Sequence, residues 1–492
     1  MQKQLVMNDD LLHYIMTEMY NKMLEYGDLK TLENVTTRVL ETFNKRDLET
    51  LTVEQIYHYT GAMLRYGQNL DRQGNSIKAR EIFDQVLVLS RDFYEQYPNS
   101  FEATFRLQNN LFFTGYLARR QGRFDDAEQN YRERLALNSE AYKQRDNLTF
   151  METTHVGQAS VWAVAMSDSL RSLANVLAGP KNKPKEALPL ALSSIEILEK
   201  MPPKDRNPNG YPYNLGSSYY YAADTYLLLG QLDKAEKLFA RRQAVFEALV
   251  AQNPKNSRAF RRILTSKEAL AKIAQLRGEQ AKAYNLRREI ADGFDILTQK
   301  DPSNTLWLGD SAKGQINLAQ SAFLLQDLET AATYQRKAKL QITEALERDN
   351  TRPQRWLTYH RTQSLEAEID HAKGDTSASQ QKLVALLAEL EQKDTAYLTM
   401  AGTKEHLADT RLFYGQLLAD NGKEQAAKTQ WQKLVDLLEN SSSSIDLVGK
   451  ETLSVAYNLL GEQDRALALA QELDRYGYQR SNLLSHNKVS QR

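Results

Sequence analysis

The 492-residue sequence contains no cysteine, which excludes disulfides, thiolate metal sites and cysteine nucleophiles. A reducing cytoplasm is compatible with that absence and is not established by it. Turn formers are scarce as well: 22 Gly and 11 Pro make about 7% of the chain, against an average near 12%. This argues against a β-sandwich, a barrel or a collagen-like chain. No stretch approaches the 18 or so apolar residues of a membrane-spanning helix, the runs at 161–166 and 383–388 being short. Residues 1–10 lack the basic, apolar and small-residue order of a secretory signal. Net charge is missing too, with Lys+Arg and Asp+Glu both at 63, so no overall field draws the chain to nucleic acid or to an anionic membrane. With 41% hydrophobic and 26% charged residues, the expectation is a cytoplasmic, mostly helical protein with no membrane partner.

Catalytic signatures are also absent. Neither a phosphate loop, G-x-G-x-x-G, H-E-x-x-H nor G-x-S-x-G occurs. The seven histidines show no i, i+4 pair, and carboxylates fall where helix faces pair them with cations, as Glu344 with Arg348. The sequence therefore predicts no enzyme, no cofactor and no metal.

What is present is a repeat. An apolar helix end is followed by Gly, four mostly polar residues, and an Ala that opens a second apolar helix. Gly74 pairs in this way with Ala79, Gly122 with Ala127, Gly230 with Ala235, Gly278 with Ala283, Gly422 with Ala427 and Gly461 with Ala466. Gly permits a tight reversal, and Ala lets two helix backbones approach closely. The turns fall near 27, 74, 122, 179, 230, 278, 326, 374, 422 and 461, with Gln326 standing in for Gly before Ala331. Four successive steps from 230 to 422 are each 48 residues. A second punctuation follows 24 residues after the turn, at Pro98, Asp146-Asn147, Pro254, Pro302 and Asn350. Each half-unit thus holds about 20 helical residues, about 30 Å of helix. The spacing predicts an all-α superhelical solenoid of about ten antiparallel helix hairpins over 11–478, each touching only its neighbours, with a lead-in at 1–10 and a polar tail at 479–492.

These residues resemble the tetratricopeptide (TPR) repeat family, whose unit has a small residue seven before the turn Gly, an aromatic nine after it and Ala five after it. Gly67, Gly115, Ala223, Ala271 and Gly415 match the first position, and Tyr131, Phe239 and Trp431 the second. At Gly374 the match is weak, because Ser379 occupies the Ala position. The unit is also 14 residues longer than the family's 34. Its length and the loop phrases Tyr-Pro-Asn-Ser at 97–100, Asn-Pro-Lys-Asn at 253–256 and Asp-Pro-Ser-Asn at 301–304 look like a bacterial subtype. That subtype forms the carboxy-terminal sensor or scaffold half of serine/threonine kinases, STAND-type NTPases and winged-helix regulators.

Three places depart from the period. The intervals 122–179 and 179–230 are 57 and 51, and they hold the loop with Lys181, Lys183 and Lys185, read either as a phosphate site or as a solvated turn. Residues 440–444 form a Ser-rich connector, and the last interval shortens to 39, as a capping unit should. The first helix is apolar over much of its surface, with Leu11, Leu12, Ile15, Met16, Met19, Met23 and Leu24, which suggests a partner or a further domain there.

The resemblance implies that first helices line a concave groove at positions 13, 10 and 6 before the turn Gly. Those positions are Asn109, Phe112 and Tyr116; Ser217, Tyr220 and Asp224; Thr265, Glu268 and Lys272; and Lys313, Ile316 and Gln320. Two local enrichments add to them. Six tyrosines lie between Tyr211 and Tyr226, Tyr213 among them, and Tyr joins apolar area to a hydroxyl at binding hot spots. Consecutive Tyr219, Tyr220 and Tyr221 point about 100° apart on a helix, so only some can face a groove. Residues 241–290 carry 12 Arg and Lys against 4 acids, and Arg258, Arg261, Arg262 and Lys272 are the candidates there for an acidic segment or phosphates.

Together these point to a non-enzymatic scaffold or sensor that holds a protein or peptide in its groove, within a bacterial signalling or defence system; an effector enzyme is one candidate partner. Two alternatives stay open: a nucleotide- or nucleic-acid-responsive regulator using 241–290, and the sensing half of a split or truncated effector. Oligomeric state is not legible in the sequence.

Overall fold

The computed structural model describes residues 19, 23, 29–43, 51–144, 148–149, 158–208, 210–393, 395–398, 402–439 and 445–479. The expected first helix and the turn near 27, the punctuation at 146–147 and the Ser-rich connector at 440–444 lie outside the described residues. Within them the chain is all-α. Helix α1 (Leu29–Phe43) precedes hairpins α2 (Val53–Gln73) with α3 (Ser76–Gln96), α4 (Phe101–Arg120) with α5 (Phe124–Lys143), and α6 (Gln158–Ala178) with α7 (Pro184–Glu199). Next come α8 (Tyr211–Leu228) with α9 (Leu232–Gln252), α10 (Ser257–Leu276) with α11 (Gln280–Lys300), α12 (Thr305–Leu324) with α13 (Leu328–Arg348), and α14 (Pro353–Ala372) with α15 (Thr376–Glu391). A short α16 (Thr395–Leu398) leads to α17 (Thr403–Asp420) with α18 (Glu424–Glu439) and α19 (Leu447–Leu460) with α20 (Gln463–Arg475).

The repeated residues act as capping and packing devices. The last residue of each loop phrase caps the next first helix: Ser100 Oγ accepts from the Ala103 amide at 3.3 Å, Asn256 Oδ1 from Ala259 at 2.9 Å and Asn304 Oδ1 from Trp307 at 3.3 Å. Each bond satisfies one of the amides that a helix start leaves without a partner. The Ala five after the turn is fully buried in Ala79, Ala127, Ala235, Ala283, Ala331 and Ala427. The small residue seven before the turn makes room for the aromatic nine after it. A Cβ added at Gly115 would lie 2.8 Å from the Tyr131 ring, and one at Gly67 would lie 2.5 Å from Phe83. Phe83 thus belongs to the same set as Tyr131, Phe239 and Trp431.

The turn residues are left-handed, and Gln326 takes φ 64 where other units place Gly. At 179–183 the reversal is wider: Asn182, at φ 50, is the left-handed residue there, not Gly179. Lys181 pairs with Asp125 and Glu128, and Lys183 with Glu186 at 3.6 Å, so this loop presents no free lysine trio and the solvated-turn reading holds.

The expectation of contacts between neighbouring units only is overturned. The superhelix is tight enough that a unit meets the one five turns later. The Arg72 carbonyl accepts from Thr305 Oγ1 at 2.8 Å, Ser76 Oγ donates to Asp349 Oδ2 at 3.0 Å, and Arg352 reaches Asp71. A second seam forms at the other end, where the Tyr476 ring lies against Gly230, the Gln479 amide donates to the Leu276 carbonyl at 2.9 Å, and Leu447, Leu473 and Tyr478 share a core with Leu227, Phe239 and Ile273.

A lumen lined by the first helices

Closure of the superhelix turns the inner faces of the first helices toward one another. The chain positions of Tyr116 (α4), Tyr221 (α8), Arg262 (α10) and Asp310 (α12) span four hairpins, yet Arg262 lies within electrostatic reach of the other three. Arg119 at the end of α4 faces Tyr221, Tyr131 and Tyr116 in the same way. Asp224 of α8 is approached by Lys272, Lys313 and Arg119. Burial pushes the Asp224 carboxyl above its usual range, and those three cations pull against it. Of the sequence-derived candidates, Tyr116, Asp224, Arg262, Lys272 and Lys313 are therefore brought within electrostatic reach of residues on other first helices, with Tyr220 beside Asp224 and Arg261 on Asp310.

Aromatic side chains form part of the lumen wall. Phe112 stacks on Tyr116 with centroids 6.1 Å apart and carries the Arg134 guanidinium 4.8 Å over its face. Tyr220 meets Tyr221 edge to face at 5.3 Å and packs on Phe239 at 5.8 Å. Asn109 is half-buried one turn before Phe113 on the same helix.

Other candidates sit elsewhere, and packing decides why. Tyr213 is buried, its ring against Phe246 and its hydroxyl donating to Asn256 Oδ1 at 3.1 Å, so it braces the cap of α10 and does not line the lumen. Arg258 lies over that same ring at 3.9 Å. Ile316 is fully buried among Ala319, Ala331 and Leu365; the groove register places it one step too far round the helix. Glu268 is taken by Asn317 Nδ2 at 2.7 Å, and Thr265 and Ser266 accept from Arg242. Of the six tyrosines, Tyr219 is held by Glu199 at 2.7 Å, Tyr211 by the Leu198 carbonyl at 3.2 Å, and Tyr226 packs against the Leu227 and Phe239 core beneath Lys234, leaving Tyr220 and Tyr221 for the inner face.

The local excess of positive charge at 241–290 is largely neutralised from outside the segment. Arg241 pairs with Glu199 at 2.6 Å, Arg261 with Asp310 at 2.5 Å, Arg277 with Asp233 and Glu236, and Lys272 with Asp446 at 3.7 Å. Arg242 is buried, and its guanidinium donates to Ser266 Oγ and the Arg262 carbonyl; burial first, then repulsion from Arg262, brings its pKa down to about 9. The segment is therefore not a continuous basic face.

Beyond the Arg361 guanidinium, which donates to Asn317 Oδ1 at 2.7 Å, the lumen turns acidic. Burial pushes Glu368 up to about 7. Asp409 is pushed up to about 8 by burial and by Glu451, Asp446 and Glu368, against the Thr452 hydroxyl that donates to it at 2.5 Å. Sequence reasoning missed Arg119, Asp310, Glu368 and Asp409; Arg119 and Asp310 lie three and sixteen positions before their turns, outside the groove rule, whereas Glu368 and Asp409 hold its positions six before Gly374 and thirteen before Gly422, in units to which the rule was not extended. Among the described residues no group of three His, Asp or Glu is placed to hold a metal, and no helix is long and apolar enough to cross a membrane.

No family model matches the sequence, and no curated protein matches it. Solved structures do. The chain is similar to the apo form of RapI, at 11% identity over 87% of this chain and 100% of that one, with a TM-score of 0.50. The apo form of the quorum sensor NprR from B. thuringiensis is 12% identical over 89% and 99%, with a TM-score of 0.48. The human IFIT1 dimer with m7Gppp-AAAA is 14% identical over 91% and 95%, with a TM-score of 0.38. At these identities the likeness is one of fold: a TPR-like helical solenoid.

Proposed function

We propose that this chain is a non-enzymatic binding scaffold or sensor that takes a peptide, or an extended segment of a partner protein, into its axial lumen. The observation that supports the reading is that Tyr116, Tyr220, Tyr221, Arg119, Arg262 and Lys313, from four separate hairpins, are linked by electrostatic contacts across the inner faces of the first helices. Rigid aromatic rings beside long cationic side chains suit an extended backbone with alternating side chains. The mixed charge of the lining favours a peptide over a polyanion. Asp224, Asp310, Glu368 and Asp409 interrupt the cations along the first helices; burial raises three of them, Glu368 to about 7 and Asp409 to about 8, so they break the continuous basic path a nucleic-acid backbone would follow without supplying four charges.

A photo-crosslinking residue placed at Tyr221, in the full chain and in its native cell, tests this reading. The same residue at Leu340, 74% exposed on α13, serves as the outer control. Transfer of label to a polypeptide from position 221 and not from 340 is the expected result. Capture of RNA from 221, or of polypeptide from 340 alone, contradicts it.

A further inference from the structure

The second seam closes on a segment that lies past the last helix. α20 ends in a Schellman turn: the Tyr478 amide donates to the Leu473 carbonyl at 3.2 Å and the Gly477 amide to the Asp474 carbonyl at 3.0 Å, with Gly477 left-handed at φ 69. That turn sends residues 476–479 back across the hairpins five and four units earlier. A Cβ at Gly230, between α8 and α9, would lie 2.6 Å from the Tyr476 ring. Tyr478 is 4% exposed and packs with Leu227, Phe239 and Ile273, while its hydroxyl donates to Glu451 of α19. The Gln479 amide donates to the Leu276 carbonyl at 2.9 Å, and the Gln479 Cβ stands 3.3 Å from the place a Cβ would take at Gly278. Asp446, ahead of α19, adds an ion pair with Lys272 at 3.7 Å.

This seam differs from the joints between neighbouring units. It is carried by a short strap and by the rims of two helices, Leu447 and Leu473, and not by the length of a helix pair. The last hairpin also has a core of its own with the hairpin before it, where Leu453, Ala456 and Tyr457 meet Ala408, Leu434 and Leu438, and the strap does not enter that core. Where stability is a sum over neighbouring units, a contact between distant units can open while every unit stays folded. We propose that residues 476–479 are a releasable latch, which holds the last hairpin on α8 and α10 and on release lets it swing out as a folded body. Release bares the surface of Leu227, Phe239 and Ile273 that Tyr478 covers. A latched superhelix admits a large partner from the side, whereas a permanently closed one admits only what threads its ends. The inference does not depend on what the lumen binds.

Amide hydrogen exchange of the full chain, read on two glycine variants, tests the latch. Gly230 and Gly422 sit at nearly the same angle, φ 72 and φ 73, so alanine strains both turns alike. At Gly230 the added methyl meets Tyr476; at Gly422, among the described residues, it meets nothing within 4 Å. Gly230→Ala should speed exchange of the Gln479 amide about tenfold or more over Gly422→Ala, with the amides inside α19 as slow as before. Tyr476→Ala, which leaves both turns intact, should do the same. Because the chain has no cysteine, Gly278→Cys with Gln479→Cys offers one possible disulfide, at a Cβ separation close to the ~3.8 Å such a bond takes. In the Tyr476→Ala background, oxidation of that pair should return the radius of gyration from solution scattering to the value of the unsubstituted chain. Reduction should raise it again, a cycle that loss of folding cannot produce. Equal exchange in the two glycine variants, or a Gln479 amide that exchanges no faster than those inside α10 in every variant, overturns the latch. So does a cysteine pair that does not oxidise within one chain, or a radius that oxidation leaves unchanged.

Discussion

Arg352 Nη2 donates to both the side chain and the backbone oxygen of Asp71, at 2.5 and 2.7 Å, across 281 residues of sequence. Its Nε donates to Asp349 Oδ2 at 2.6 Å, and all three residues are buried. This bond set locks the first described hairpin against the sixth and closes a turn of the superhelix. A buried ion pair adds little compared with apolar residues, yet removing Arg352 takes a cation from two buried carboxylates; Asp71 keeps Arg120 and Asp349 keeps Arg355, so the loss should fall at the low end of about 3–5 kcal/mol. Arg352→Ala should therefore lower unfolding stability by about that amount in denaturant titration and raise the radius of gyration measured by solution scattering. Unchanged scattering would show that the seam does not hold the turn closed.

Gln326 and Gly74 test the turn chemistry in opposite directions. Gln326 sits at φ 64, which costs a residue with a Cβ about 1 kcal/mol. Gln326→Gly removes that strain and should be neutral to stabilising by about 0.5 kcal/mol, once the freedom glycine adds to the unfolded chain is set against it. Gly74 has φ 98, and a Cβ there would meet Asp349 Cβ and Thr305 Cγ2 at 3.2 Å. Gly74→Ala should be destabilising by at least about 1 kcal/mol, because it adds left-handed strain and presses on the seam. Thermal unfolding of the two variants side by side decides the matter.

The acidic end of the lumen predicts a pH dependence. Asp409 near 8 and Glu368 near 7 both lie above the ordinary carboxyl range of about 4. Between those values the folded chain keeps protons that the unfolded chain has released. Their contribution to stability is complete below pH 4 and is lost as pH rises through 7 to 8. Asp409→Asn should flatten the fall in Tm between pH 5 and 8. A curve parallel to that of the unsubstituted chain would contradict the assignment.

Register on α12 separates a core position from a lumen position three residues away. Ile316→Ala empties a fully buried site and should cost about 2–5 kcal/mol, whereas Lys313→Ala, at an exposed residue, should stay within about 0.5 kcal/mol. Equal effects would show that the helix is rotated from the orientation described.

The fold was legible because its devices are local. Asn256 caps a helix three residues on, Tyr131 fills the space left by Gly115, and Ala235 lies five residues past its turn; short-range spacing records all of these. Closure was not legible. Asp71 and Arg352 read singly as ordinary helix-end charges, and nothing in a 48-residue period states how far each unit rotates. The groove register was off at Ile316, which packs among Ala319, Ala331 and Leu365 although Phe112 and Tyr220 hold the same position in their own units. Tyr213 was lost to the core because, in six tyrosines, composition marks a binding surface and a packed interior alike. Arg119 escaped notice because it lies outside the three groove positions, and only the neighbouring turns of the superhelix bring Tyr221 to it.

Hydroxyl-radical footprinting of the chain with and without its captured ligand tests the central claim most directly. Phe112, Tyr116, Tyr220 and Tyr221 line the lumen, and Tyr97 and Tyr142, each 40% exposed, report on the outside. If the lumen is the binding site, oxidation of the first four should fall on ligand addition while Tyr97 and Tyr142 are oxidised as before. Protection of Tyr97 or Tyr142 with the lumen tyrosines unchanged would place the ligand on the outer surface and contradict the account.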